Sequence, residues 1–137
     1  MRSARNRTRD QRGAAAVELA IVLPILILLV FGIIQFSISF NRLQGLHAAA
    51  REGARVAALP QSTQGDIRAR VTTALSGVLP TGTPPVITVT PNTTNPCDLK
   101  PVDTHVVVTV RTVSQLDIPL FGNQSLTLTG KGEFKCE

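Results

Sequence analysis

The sequence contains no Trp and no Tyr, and only 17% of its 137 residues are charged. The segment Leu19–Phe40 has no charged residue at all. An uncharged apolar run of 22 residues is hard to bury in a domain of this size, which argues against a soluble cytosolic enzyme. Residues 1–13 carry a net charge of +4, whereas residues 14–137 carry only +1. The folded part therefore lacks the clustered Lys and Arg side chains of a nucleic-acid-binding surface.

The residue patterns of an active site are also missing. The two histidines, His47 and His105, have no nucleophile and no paired carboxylates near them in the sequence. The only cysteines, Cys97 and Cys136, do not form a C-x-x-C motif. We therefore expect no enzymatic activity, no cofactor and no metal. One alternative stays open at this point, a metal site that uses both cysteines and His105.

The apolar run Leu19–Phe40 predicts a transmembrane helix. At about 1.5 Å per residue it spans roughly 33 Å, close to the hydrocarbon thickness of about 30 Å. Five Arg residues precede it, so the positive-inside rule predicts a cytoplasmic N-terminus, with residues 41–137 outside. With no second apolar run, we expect a single-pass protein of the cytoplasmic (inner) membrane. A cleavable secretory signal is the main competing interpretation, but its apolar core would be shorter, about 7–15 residues.

The junction between the basic leader and the apolar run carries the most information. It reads GAAAVEL from Gly13 to Leu19. A carboxylate at the edge of an apolar helix is unfavourable unless it is paired, and such residues often mark function. The alternative for Glu18 is a position in the lipid headgroup region beside Arg12, where its charge would be tolerated.

A basic leader, a glycine, a few small residues, a glutamate and then an apolar helix form a pattern that resembles a type IV prepilin. Over residues 12–59 the sequence resembles the TadE-like family of pilus assembly proteins, the pilin-like components of tight-adherence (Flp) pili. Three segments carry this resemblance: Gly13–Pro24, Phe31–Phe36 and Ala49–Arg55. Over the C-terminal half the similarity is weaker and rests on pattern more than on motif.

This resemblance implies that a prepilin peptidase cuts between Gly13 and Ala14 on the cytoplasmic side. Glu18, the fifth residue of the mature chain, would then pair with the N-terminal amine of a neighbouring subunit. Major Flp pilins typically have Tyr after this glutamate, and Leu19 stands here, which favours a minor pilin or pseudopilin. The implied partners are the peptidase, other pilin-like subunits, pilus assembly proteins and membrane lipid.

Two questions about the role stay open. The protein would either enter the filament or stay at its base. Alternatively, it is an uncleaved, signal-anchored membrane protein that carries an extracytoplasmic binding module.

One face of the apolar helix is richer in small and polar residues than the others. Glu18, Gly32 and Ser39 are separated by multiples of seven residues, and Gln35 falls between them on the same side. Because positions seven residues apart differ by only about 20° around an α-helix, these residues share one face. Such a stripe suits close contact between helices in lipid, although single residues of these types are also ordinary in membrane spans. Both interpretations stay open.

The helical pattern continues beyond the apolar run, and we predict one helix from about Ala15 to Leu59. Beyond the apolar run, one face of this helix carries residues spaced three and four apart, most of them small, which we call the seam: Leu43, Leu46, Ala50, Gly53 and Ala57. The seam would pack either within the head or against a partner helix. The expected organisation is thus a basic leader (residues 1–13), a transmembrane helix with its extension (14–59) and a small head (60–137).

The head is predicted to be α+β, with a second helix and a three- to four-stranded antiparallel sheet. Its expected elements are a helix over Asp66–Leu79 and strands over Val86–Thr90, His105–Val113 and Ser125–Gly130, the last with an extension to Phe134 left open. Turn-rich segments join the strands over Pro91–Pro101 and Gln115–Gln124. An even cysteine count in an oxidising compartment favours a Cys97–Cys136 disulfide.

Overall fold

The computed structural model describes residues 4–80, 82–97, 104–118 and 122–136, with the backbone alone at residues 4–12 and 118. Arg2 of the leader, Pro101 and Pro119 lie outside the described residues. The elements in chain order are α1 (Ala4–Ala57), α2 (Gln64–Ala74), β1 (Val86–Thr90), β2 (His105–Ile118) and β3 (Gly122–Lys135). A long apolar helix, a second helix and an antiparallel sheet confirm the predicted α+β class.

Helix α1 begins earlier than the sequence predicts. It is helical from Ala4 across Gly13, instead of starting near Ala15. The leader is rich in Arg, and Arg and Ala favour helix, while a single glycine disfavours it by only about 1 kcal/mol. At the other end α1 stops at Ala57 rather than Leu59, and the chain tightens into a turn in which the Leu59 N–H donates to the Val56 carbonyl at 3.1 Å.

Helix α2 starts with a capping box and is shorter than predicted. The Thr63 hydroxyl accepts a hydrogen bond from the Asp66 N–H, and the Asp66 carboxylate accepts one from the Thr63 N–H. The helix ends at Ala74 instead of Leu79. Gly77 adopts a φ of 81°, a left-handed conformation that ends helical structure and that glycine favours.

The sheet has three antiparallel strands in the order β1–β2–β3. The first strand matches its prediction, but the β2–β3 hairpin is much longer than expected. Its pairing runs from His105 opposite Lys135 to Ile118 opposite Gly122. Most of Gln115–Gln124, predicted as a loop, is therefore strand. Pro119 and Gly122 indicated a loop over the whole segment, but residues 115–118 pair with residues 122–125, and only residues 119–121 separate the two strands.

The core lies where the C-terminal half of α1 meets the sheet and α2. Leu46, Ala50 and Ala57 of the predicted seam are fully buried. They share one apolar cluster with residues of β2 and α2: Val106, Val108, Val110, Ile67 and Val71. Of the two interpretations of this seam, packing within the head is therefore the one observed.

Candidate functional site: the helix junction and the groove beside the span

The junction residues are exposed on α1. Glu18 is exposed, and no hydrogen bond or ion pair joins it to another side chain in the described part of the chain. Gly13 is also exposed, and a Cβ added to it would have no other described heavy atom within 4 Å.

Other glycines of this chain contrast with Gly13. A Cβ at Gly45 would collide with Val78, and one at Gly53 with Val71. Gly130 and Gly132 lie directly against the backbone of α1, at Leu46 and Ala50. Packing explains these four glycines. Packing against the described residues does not explain Gly13.

The N-terminal half of α1 is uncovered and apolar. The stretch Gly13–Ala57 is long and apolar enough to cross a membrane, and its most apolar window, with a mean hydropathy of 3.0, is not buried by the rest of the protein. Leu19, Ile25 and Ile33 are examples of exposed apolar side chains on this helix. A helix of this kind near the N-terminus suggests a membrane anchor.

The predicted contact face, Gly32, Gln35 and Ser39, lines a groove between α1 and the β2–β3 hairpin. The groove has a volume of about 360 Å³. Its lining is almost entirely apolar apart from Gln35 and Ser39, and consists of Gly32, Gln35, Phe36, Ser39, Phe40, Leu43, Leu116, Leu126 and Leu128. The structure thus brings Gly32, Gln35 and Ser39 together. However, Ser39 is only 8% exposed, because the chain's own hairpin covers it. Contact of this face with a partner helix stays a prediction.

Two hydrogen bonds attach the hairpin to α1 next to this groove. The Arg42 guanidinium donates to the Ser114 hydroxyl at 2.7 Å. Further along, the Lys131 N–H donates to Nδ1 of His47 at 3.3 Å. Together with the close approach at Gly130 and Gly132, these bonds fix the hairpin along the helix.

Charged pairs lie on the surface of the head. Glu52 of α1 forms an ion pair with Arg70 of α2 and a longer one, at 3.4 Å, with Arg55. The hydrogen bond from Arg70 is the main reason that the pKa of Glu52 is lowered from its ordinary value. On the sheet, the hydrogen bonds from His105 and then Lys131 lower the pKa of Glu133. These pairs are solvent-exposed, and two of them, Glu52–Arg70 and His105–Glu133, connect different elements.

Cys97 and Cys136 form a disulfide, as predicted, with their Cα atoms 5.5 Å apart. The bonded sulfurs cannot act as thiolate ligands, which removes the alternative of a metal site with His105. Within the described residues, no cluster of three or more His, Cys, Asp or Glu side chains could hold a metal.

Of the hairpin residues that line the groove, Leu126 and Leu128 lie in the predicted strand Ser125–Gly130, whereas Leu116 lies in the predicted loop Gln115–Gln124. Leu116 stands between the polar residues Gln115 and Asp117, an alternation that is a strand signal and that the loop prediction overlooked. Gly130 is the last residue of the predicted strand Ser125–Gly130, and Gly132 lies in the extension to Phe134 that the sequence left open. Isolated glycines there indicate a close approach of another backbone, and this signal could have identified the contact with α1.

An uncovered apolar helix that carries a small α+β head indicates a membrane-anchored protein with a compact head. Residues 13–55 match the family model described as TadE-like protein, which covers 43 of the 137 residues. This match confirms the resemblance seen in the sequence and suggests a Tad pilus-associated protein. No curated protein and no solved structure matches the chain.

Proposed function

We propose that this protein is a minor pilin or pseudopilin of a tight-adherence pilus system, matured by a prepilin peptidase between Gly13 and Ala14. The observation that carries the proposal is the family match, which begins at Gly13 and includes Glu18 and the apolar run. The N-terminus lies in the cytoplasm and the head outside, as the five leader arginines favour. Its role is structural rather than catalytic.

The surroundings of Gly13 support the peptidase step. A glycine inside a helix is unfavourable by about 1 kcal/mol relative to alanine, and no described atom near Gly13 requires one there. A glycine also leaves the residue before the bond to Ala14 without a side chain, which suits entry into a protease. Cleavage creates a positively charged amine at Ala14, next to the apolar run.

Glu18 has the role of a docking group in this proposal. Its carboxylate has no partner among the described side chains, and a charge in hydrocarbon is unfavourable unless it is paired. The Ala14 amine of a neighbouring subunit would neutralise it, and the pair would favour one register between the helices. The Gly32, Gln35 and Ser39 face is the further contact that we assign to assembly.

The alternative function is an uncleaved, signal-anchored membrane protein whose head is a binding module. The two functions differ at Gly13, because only the first produces a chain that begins at Ala14. Peptide mass spectrometry of the protein purified from its native membrane reads this terminus directly.

The experiment compares four chains: wild type, Gly13→Leu, Glu18→Gln and the control Ala20→Leu, which adds a side chain at another exposed position of α1. We expect wild type, Glu18→Gln and Ala20→Leu to begin at Ala14, and Gly13→Leu to keep its leader. We also expect Glu18→Gln to lose co-purification with pilin-like subunits, while Ala20→Leu keeps it. A wild-type chain that retains its leader would support the alternative. Normal co-purification of Glu18→Gln would reject the docking role alone.

A further inference from the structure

The β2–β3 hairpin lies alongside a part of α1 that the sequence assigns to the membrane. Leu116 and Leu126, both close to the turn of the hairpin, line the same groove as Gly32 and Phe36. The predicted span Leu19–Phe40 therefore overlaps the head from Gly32 onwards.

The end of this hairpin has features that hydrocarbon does not tolerate. In the described part of the chain, β1 pairs only with residues 107–111 of β2, so residues 112–118 have no partner strand on that side. Among the described residues, β3 pairs with no strand other than β2, so the sheet ends at β3. Open sheet edges do not occur in lipid-exposed hydrocarbon, because the backbone groups that point away from the partner strand would find no hydrogen-bond partner there. Asp117 and Asn123, which pair across the ladder, are also exposed.

We propose that the described residues at the end of the β2–β3 hairpin, 112–118 and 122–126, rest in the headgroup region of the bilayer and set the depth of α1. The edge of the hydrocarbon on the head side then lies near Gly32. Twenty residues counted back from there, at about 1.5 Å each, span about 30 Å and reach Gly13. The membrane-spanning segment is therefore Gly13–Gly32 instead of Leu19–Phe40. This inference rests on the proposed membrane anchoring.

The apolar surface around the groove agrees with this placement. Phe36 is 70% exposed and Leu126 is 43% exposed, and both border a groove that continues the apolar surface of the span. The interfacial region of the head-side leaflet, with the carbonyl ends of its acyl chains, would cover this surface, which would be unfavourable in water. Lipid is therefore the occupant that we assign to the exposed Phe36 and Leu126 border of the groove.

Placing the membrane-spanning segment at Gly13–Gly32 instead of Leu19–Phe40 has a consequence at the cytoplasmic end of the span. Glu18 lies five residues beyond Gly13, which places it about 7–8 Å inside the hydrocarbon. A carboxylate at that depth needs a partner, so a position in the headgroup region beside Arg12 is not compatible with this depth. Because the hairpin sets the depth of α1, it places Glu18 in hydrocarbon, where the carboxylate needs a partner.

Because the chain contains no Trp, single Trp substitutions provide a clean test of depth. The full chain is reconstituted in phosphatidylcholine vesicles whose acyl chains carry bromine near the carbonyl end or near the methyl end. The probes are exposed positions, so they leave the core intact: Val22→Trp, Leu29→Trp, Phe36→Trp and Leu126→Trp. Leu59→Trp, exposed in the head, is the control that lipid should not quench.

The two membrane-spanning segments, Gly13–Gly32 and Leu19–Phe40, predict different quenching by bromine. A Gly13–Gly32 span is centred near Val22, with Leu29 about 10 Å and Phe36 about 20 Å from the midplane. Deep bromine should then quench Val22→Trp most, at least twofold more than Leu29→Trp, and only shallow bromine should reach Phe36→Trp and Leu126→Trp. Maximal deep quenching of Leu29→Trp would overturn the hairpin placement but keep the anchoring. No quenching at any α1 position would reject the anchoring itself.

Discussion

At the scale of single residues, the glycines divide into those that the fold requires and those that it does not. Gly130 and Gly132 let β3 lie against the backbone of α1, where no side chain would fit. Gly13 is in open surroundings. The same residue type thus has a packing role in the head and, in our proposal, a recognition role at the junction.

We predict that Gly132→Ala destabilises the head by about 1–3 kcal/mol, because its Cβ would meet the Ala50 carbonyl group of a helix that cannot move aside. Urea unfolding followed by circular dichroism in detergent measures this loss. Gly13→Ala is the matched control, since it adds the same methyl group in open space and should cause no loss. Equal stability of Gly132→Ala and wild type would contradict the observed packing.

At the scale of elements, α1 and α2 are connected by apolar packing and by one charged cluster. Ile67 and Val71 of α2 are fully buried in the cluster they share with α1. On the surface, Glu52 receives hydrogen bonds from Arg70 and Arg55. The ionised carboxylate is the form that these arginines stabilise, so the contribution of this cluster depends on pH.

We predict that the Glu52 cluster weakens in acid. The pKa of Glu52 is lowered in the folded protein, so its stabilising effect is complete above its ordinary value of 4.5 and is lost as pH falls through the folded value. Glu52→Gln should therefore reduce the free energy of unfolding at pH 7 and flatten its dependence on pH below about 4.5.

Unfolding experiments at pH 7 and at pH 3 test this pH dependence, with two arginine variants for comparison. Arg70→Gln should behave like Glu52→Gln, because it removes the other half of the pair. Arg68→Gln removes the same charge from an exposed position of α2 and should leave the acid dependence unchanged. An unchanged acid dependence in Glu52→Gln would show that other carboxylates, such as Glu133, dominate it.

At the scale of the whole molecule, the disulfide is the covalent restraint on the head. It connects the segment after β1 with the end of β3, across a sequence separation of 39 residues that includes the whole hairpin. Both sulfurs belong to the buried cluster, and the Cys136 N–H donates to the Thr104 carbonyl at 2.8 Å. The bond therefore fixes the end of the sheet that lies furthest from the hairpin turn.

We predict that replacing both cysteines, Cys97→Ser with Cys136→Ser, lowers the free energy of unfolding of the head by about 3–4 kcal/mol, as expected for a closed loop of this length. Unfolding in the presence and absence of a reducing agent measures the effect. The reductant should destabilise wild type to a similar extent and leave the double variant unchanged. A loss below about 1 kcal/mol would indicate that the reduced head keeps the loop ordered through packing alone.

The sequence by itself determined the features that depend on local pattern. The uncharged apolar run, the alternation of β1 and the spacing of the Leu46–Ala57 seam each predicted the element that is observed. The segments Gly13–Pro24, Phe31–Phe36 and Ala49–Arg55 together identified the TadE-like resemblance, which the family match confirms. These signals are readable because helix and strand periodicity and the absence of charge act over neighbouring residues.

Only the tertiary structure decided how far the head extends along the helix. Pro119 and Gly122 in Gln115–Gln124 indicated a loop, but pairing with the opposite strand and contact with α1 hold residues 115–118 and 122–124 in a long hairpin. The contacts with α1 join residues more than 70 positions apart, such as Arg42 and Ser114, and no local pattern encodes them. The hairpin in turn limits how much of α1 can lie in hydrocarbon, because its open edges need water or headgroups.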